Sequence, residues 1–271
     1  MMYLKGSAAW PGGWRENNPD AATMWKLGAQ RPAADHMRRA VARVIERLLK
    51  GVHRGEPHSD GDQNAWLRDI IRAAFTTGGG GAHHRLPAEE IEEMVREGLH
   101  RLQGICKVPV IKSILSGEAQ EWMPLERLEP DITDDALLWV IPDIIARFNG
   151  GWQLIRITME AGATAPNAVQ RLELGAMLDW AVRQPTMPTT PRSYSITRVA
   201  WRWNGWVQWK RPADEYWLDE SRELLRADLV RLRRVHLRLD GFDDIDSLEG
   251  ASKRRQCRDC GYAPICPVSL F

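Results

Sequence analysis

Ile141-Pro142-Asp143-Ile144-Ile145-Ala146-Arg147-Phe148-Asn149-Gly150-Gly151-Trp152-Gln153-Leu154-Ile155-Arg156-Ile157-Thr158 is the stretch whose reading decides the fold. Two runs of apolar and β-branched residues flank Asn149-Gly150-Gly151, a sequence that readily adopts the left-handed turn conformations joining antiparallel strands. A further such run, Trp122–Leu128, lies upstream, separated by the turn-forming Asp131-Ile132-Thr133-Asp134-Asp135. The pattern predicts a three-stranded antiparallel meander over Trp122–Leu128, Leu137–Phe148 and Trp152–Thr158. A helix is predicted from Ala168 to Val182, with Val169, Leu172, Ala176 and Trp180 on its buried face. Two more strands, Ser195–Trp203 and Trp206–Lys210, are expected to meet at Asn204-Gly205. A long helix from Asp219 to Leu239 follows.

Working toward the N-terminus, the chain reads as helical. Between Ala33 and Leu49, Met37, Val41, Val44, Ile45, Leu48 and Leu49 recur every three or four residues, with Gly51 as the expected stop. Further helices are predicted over Asn64–Phe75 and Pro87–Leu102, separated by the flexible tract Gly78-Gly79-Gly80-Gly81. Residues 1–32, rich in Gly, Pro, Asn and Trp, read as irregular chain. The order predicts an α/β domain spanning 1–271. Its parts are a helical portion (33–118), a sheet core (119–212), and a long helix with a cysteine cluster (213–271).

Thirty-seven Lys and Arg nearly balance 36 Asp and Glu, a net charge of +1 that does not announce a nucleic-acid binder. The basic residues are nevertheless clustered. Arg38, Arg39, Arg43 and Arg47 fall on the first helix, Arg231, Arg233, Arg234 and Arg238 on the last, and Arg198, Arg202, Lys210 and Arg211 beside a tryptophan-rich hairpin. No apolar run reaches the eighteen or so residues a membrane helix needs. Nor is there a basic-then-apolar leader. The cysteine usage does not suggest a secreted disulfide framework. A cytoplasmic protein is expected.

Cys257, Cys260 and Cys266 form C-x2-C-x5-C, with Gly261 easing the turn between them. Soft thiolates at this spacing suit zinc or iron–sulfur, and three buried cysteines in a metal-free knot are the alternative. A fourth donor is wanted. Cys106 and His236 are the candidates, each with an ordinary structural reading as well.

The order of these features resembles the RecB-like nucleases of the PD-(D/E)XK superfamily, including the CRISPR-associated adaptation nucleases and AddB-type subunits. Leu27-Gly28 with Asp35-His36-Met37 resembles the family's G…H helix, and Ile141–Ile145 the strand carrying the metal-binding aspartate. Asn149-Gly150-Gly151-Trp152 resembles the turn after that strand, and Gln170 stands where a Q-x3-Y motif begins. The resemblance implies a restriction-endonuclease-like core, a mixed sheet flanked by helices with a helical insertion and a C-terminal cysteine knot. It implies a [4Fe–4S] cluster (or zinc) on Cys257, Cys260, Cys266 and a fourth cysteine. It also implies Mg²⁺ or Mn²⁺ held by Asp143 and His36, with Gln170 in the catalytic set; Glu160, one pair beyond the motif position, is the candidate to replace in part the carboxylate the pattern lacks.

The sequence departs from the pattern where the family places a carboxylate and a lysine, because Arg156 and Thr158 stand there instead. A guanidinium beside a cation site opposes metal binding. Leu174 replaces the tyrosine after Gln170, and no cysteine precedes His36. The expectation is a catalytically impaired member that binds DNA through its arginines and tryptophans, or acts as a scaffold, alongside protein partners in repair, recombination or phage defence. An active metal-dependent nuclease and a non-DNA interaction module are the alternatives.

Overall fold

A computed structural model describes residues 33–56, 59–76, 86–125, 131–133, 136–138, 140–159, 161–203 and 205–240. The chain divides into two compact units. One comprises 37–71 and 88–227, the other 1–36, 72–87 and 228–271. The predicted helical portion and sheet core thus fall largely within one unit, described first.

Helix α1 (Ala33–His53) buries Met37, Ala40, Val41, Val44, Ile45, Leu48 and Leu49, the face its periodicity predicts. It does not stop at Gly51, which is buried inside its last turn. Gly55 ends it instead, in the left-handed conformation at φ +74°. The Gly55 N–H donates to Val52 O at 3.0 Å and the Glu56 N–H to Gly51 O at 2.9 Å, closing a Schellman motif. A Cβ on Gly55 would meet nothing within 4 Å. Gly55→Ala therefore isolates the backbone cost, an expected loss of about 1 kcal/mol by urea denaturation at unchanged m-value.

Helix α2 (Asp60–Thr76) opens on a reciprocal cap, with the Ser59 and Asp62 side chains each accepting the other's N–H. Helix α3 (Ala88–Ile105) packs closely on α1 and α2 through Gly98. A Cβ there would lie 2.7 Å from Leu67 and 3.2 Å from Val41. A short α4 (Pro109–Leu115), absent from the sequence expectation, leads into the sheet.

The five-stranded mixed sheet has the order β1 (Glu121–Pro124), β4 (Ile144–Phe148), β5 (Gly151–Thr158), β6 (Tyr194–Arg202), β7 (Gly205–Pro212). β1, β4 and β5 form the predicted antiparallel meander. Two of its strands are shorter than expected. The run Leu137–Phe148 is broken ahead of β4, where Pro142 lacks an N–H for the ladder. Part of it pairs instead in a separate small hairpin, β2 (Asp131–Thr133) with β3 (Ala136–Leu138). Asp131–Thr133, read as turn, is therefore strand.

β5 and β6 are parallel, joined through α5 (Ala168–Val182), as parallel strands require a long crossover. α5 is buried more broadly than one stripe. Leu174 through Asp179, Ala181 and Val182 are buried, whereas Val169, expected inside, is 78% exposed. The C-terminal half of α5 shares one core with Ile145, Leu154 and Ile196 of the sheet and with Trp217 and Leu218 of α6 (Glu215–Asp240).

The β6–β7 turn is displaced by one residue from Asn204-Gly205. Gly205 pairs with Arg202, so Trp203 (φ +57°) stands at the first turn position, and Asn204 lies outside the described residues. Side chains set this register. Trp201 and Trp206 meet edge to face at 5.6 Å, and the Trp206 indole donates to Arg101 O at 2.7 Å.

In the second unit the described residues are the first turn of α1, the end of α2, Leu86 and Pro87, and the end of α6. His36 and Phe75 meet edge to face there at 5.1 Å. The Gly78–Gly81 tract lies outside the described residues.

Candidate functional site

Asp143 enters the fold immediately ahead of β4, held by the ladder at both backbone atoms. Its N–H donates to Ile155 O at 2.9 Å, and its carbonyl accepts from Leu125 N–H at 3.0 Å. Its carboxylate reaches across to β5, where Oδ2 accepts the Ile157 N–H at 2.7 Å. That strong contact is bound to one backbone donor. The aspartate also lines a cavity of about 370 Å³ between α1 and the sheet. Its other walls include the apolar Ile45, Leu49, Leu125, Ile157 and Met159 and a second carboxylate, Glu46.

Arg156, the residue that departs from the family pattern, is buried, its side chain 9% exposed. Its guanidinium reaches three oxygen groups. Nη1 lies 3.8 Å from Asp143 Oδ1 and donates to Ile141 O at 3.2 Å, while Nη2 is hydrogen-bonded to the Glu173 carboxylate. Burying one guanidinium without partners would be prohibitive; here two carboxylates and a carbonyl surround it. A planar fork of donors fits such a set of oxygens, as a lysine would not. The centre is thus a carboxylate–arginine–carboxylate bridge tying the start of β4 to β5 and α5.

Glu173 belongs to none of the motifs in the sequence. The usable signal was its position three residues after Gln170 on a predicted helix, which puts both near one face. Gln170 itself is committed to the helix terminus. Its side chain accepts the Asn167 N–H at 3.1 Å, and its own N–H donates to Asn167 Oδ1 at 2.9 Å, a complete capping box.

Beside Arg156 on the neighbouring strand, in register, stands Arg198, 2% exposed. Its Nη1 donates to Ala163 O and Thr164 O, each at 3.3 Å, and burial pushes its pKa below the usual guanidinium value. These carbonyls belong to the segment just after β5. Arg101 of α3 reaches the same region, donating to Met159 O at 3.4 Å. Two buried arginines therefore hold the β5–α5 connection by its carbonyl oxygens.

The other predicted ligands divide as follows. His36 belongs to the second unit, and Glu160 lies outside the described residues. Cys257, Cys260 and Cys266 also lie outside them. Cys106 is half-buried after α3, and burial, reinforced by the Asp60 carboxylate, pushes its thiol pKa up. Among the described residues no group of three or more His, Cys, Asp or Glu stands together to hold a metal ion. Around Asp143 the donor set does not fit Mg²⁺ or Mn²⁺, because a fixed positive charge already faces the carboxylates. No described helix is long and apolar enough to cross a membrane.

Neither family models nor curated proteins match the chain. Among solved structures, one described as "Crystal structure of SSO0001" is similar at 15% identity and a TM-score of 0.35, covering 75% of this chain and 82% of its own.

Proposed function

We propose that this protein is a RecB-like, PD-(D/E)XK-type scaffold in which an internal arginine takes the place of the divalent cation. On this reading it binds DNA, or organises partners on it, in a cytoplasmic repair, recombination or phage-defence assembly without cutting the strand. The observation that carries the reading is the Arg156 guanidinium set against Asp143 and Glu173. Phosphodiester hydrolysis by a metal nuclease needs an ion to stabilise charge at phosphorus and to sharpen the attacking water. Arg156 satisfies the carboxylates electrostatically but has no open coordination position for water. Thr158, where a lysine is expected, carries no charge to replace it.

The test is Mn²⁺-dependent cleavage of single-stranded and duplex DNA by the full chain and by Asp143→Ala. Neither protein is expected to cut. Cleavage by the unmodified protein that disappears in Asp143→Ala overturns the reading. A second measurement does not depend on activity. Arg156→Asp removes the cation and adds a carboxylate beside Asp143, so millimolar Mn²⁺ is expected to raise the Tm of this variant by several degrees and leave the unmodified protein unchanged. Equal shifts in both would show that a metal site coexists with Arg156.

A further inference from the structure

The C-terminal half of α1 carries a groove of about 420 Å³ on its outward side, away from the Met37–Leu49 core face. Arg43, Arg47, Lys50 and Arg54 line it, together with Glu46 and Glu56. Lys50 and Glu46 pair with each other at 2.6 Å across one helical turn. That leaves three guanidiniums against one carboxylate. Among the described residues nothing pairs with the side chains of Arg43 or Arg54.

Cations near a helix C-terminus ordinarily complement the helix dipole, and Lys50 is placed for that. The dipole does not account for Arg43, which stands ten residues before the last helical position, beyond the reach of a terminal effect. Arg47 is also more than a solvated side chain. Its guanidinium carbon lies 3.8 Å from the centre of the Trp66 ring of α2. At that distance the ring face attracts the guanidinium and holds it in place. Arg43 and Arg47 are one turn apart, roughly 6 Å along the helix. Arg54 continues the series past the end of α1, so the backbone that carries these side chains spans about 16 Å, close to the length of five nucleotides of one duplex strand.

We propose that this groove binds the phosphate backbone of a nucleic acid, with Arg43, Arg47 and Arg54 as the phosphate contacts and the Arg47–Trp66 stack as their fixed point. Repeated anions at short regular spacing complement a line of guanidiniums, and one carboxylate in the groove is too few to neutralise them. The inference rests on the DNA-binding half of the function proposed above and is independent of whether the Asp143 centre cuts. The two sites share only Glu46 at their margins.

The experiment is fluorescence anisotropy with labelled single-stranded and duplex oligonucleotides over 50–300 mM salt (a range of roughly the screening relevant to such contacts). It compares the full chain, the triple variant Arg43→Ala/Arg47→Ala/Arg54→Ala, the triple Arg→Lys variant, and a control, Arg96→Ala/Arg192→Ala. For a single strand, removal of three contacts is expected to flatten the log–log salt slope by about 2 and weaken binding tenfold or more at 100 mM salt. The lysine variant should keep most of the slope and the control all of it. If the unmodified protein shows no salt-dependent binding, the DNA-binding function fails and the groove with it. If it binds but the alanine variant binds equally, the groove is wrong and DNA binding stands. Displacement by polyglutamate as readily as by an oligonucleotide of equal charge would overturn the nucleic-acid assignment. Should the alanine variant fail to fold by circular dichroism, Arg43→Ala alone decides, with an expected slope change of about 0.7.

Discussion

Arg156→Ala is expected to destabilise the sheet-containing unit by about 2–3 kcal/mol, although it removes a charge from a buried place. In isolation a buried guanidinium is costly, and its removal would relieve desolvation. The local arrangement reverses that outcome. Asp143 and Glu173 would both lose the Arg156 guanidinium, their side chains 23% and 34% exposed. Losing one member of a buried pair costs about 3–5 kcal/mol, and the residual solvent contact of both carboxylates reduces this to about 2–3 kcal/mol. The Ile141 carbonyl would also lose its Arg156 donor. Urea denaturation of Arg156→Ala measures the loss, and Arg156→Ala/Glu173→Gln should recover about half, because the added change removes one of the two carboxylates that lost the guanidinium. A variant as stable as the unmodified protein would show that the bridge contributes nothing to the fold, and the reading of Arg156 as a built-in cation would fall.

The sequence predicted these positions unevenly, for physical reasons. The strand around Asp143 and the turn after it were readable because both signals are local. Asn149-Gly150 can enter a tight hairpin, and Gly151 takes φ +112°, where a Cβ would lie 2.9 Å from Ser193 O. The apolar stripe of α1 was readable because one face of that helix meets the core and the other meets water. Periodicity failed for α5, which is covered by both the sheet and α6 in its second half, so no single stripe defines its buried side. The β6–β7 turn was misplaced because turn propensity favoured Asn204-Gly205 while the Trp201–Trp206 pair imposed the register. Glu173 escaped notice for a similar reason. Its partner is seventeen residues away on another element, and nothing in the spacing of a single helix announces an ion pair across a crossover.

Gln170 shows how one residue type serves two different readings. In the family pattern it belongs to a catalytic motif, yet Asn167-x-x-Gln170 is equally the signature of a helix N-terminus, and the cap hydrogen bonds are fully formed. The capping role follows from local chemistry alone and requires no substrate. Glu173, one turn further along, then has its position set by a well-fixed helix start.

The same crossover leads to the prediction of Trp217→Ala, an expected loss of about 3–5 kcal/mol, the usual range for truncating a buried tryptophan. Trp217 is 1% exposed at the start of α6. Its backbone N–H caps onto Asp214 Oδ1 at 2.7 Å, which fixes where the helix begins and which way the indole enters the core. The ring meets Trp209 edge to face at 6.1 Å and lies under the Arg211 guanidinium at 5.2 Å. α6 also approaches α5 closely at Gly175, where a Cβ would fall 1.8 Å from Ser221 Oγ and 3.4 Å from the Trp217 indole nitrogen. Helices this close can collapse only slightly into the space an alanine leaves, so most of the cavity term is expected to remain. The higher helix propensity of alanine returns only about 0.5 kcal/mol. Because α5 also presents Glu173 to Arg156, a shift of α5 toward the vacated space would weaken that bridge. Trp217→Ala and Arg156→Ala should therefore be non-additive, the double variant losing at least 0.5 kcal/mol less than the sum of the two. Urea denaturation of the single and double variants measures this coupling. Strict additivity would show that the Arg156 bridge and the α5–α6 core are independent, and that α5 does not transmit packing to the Asp143 centre.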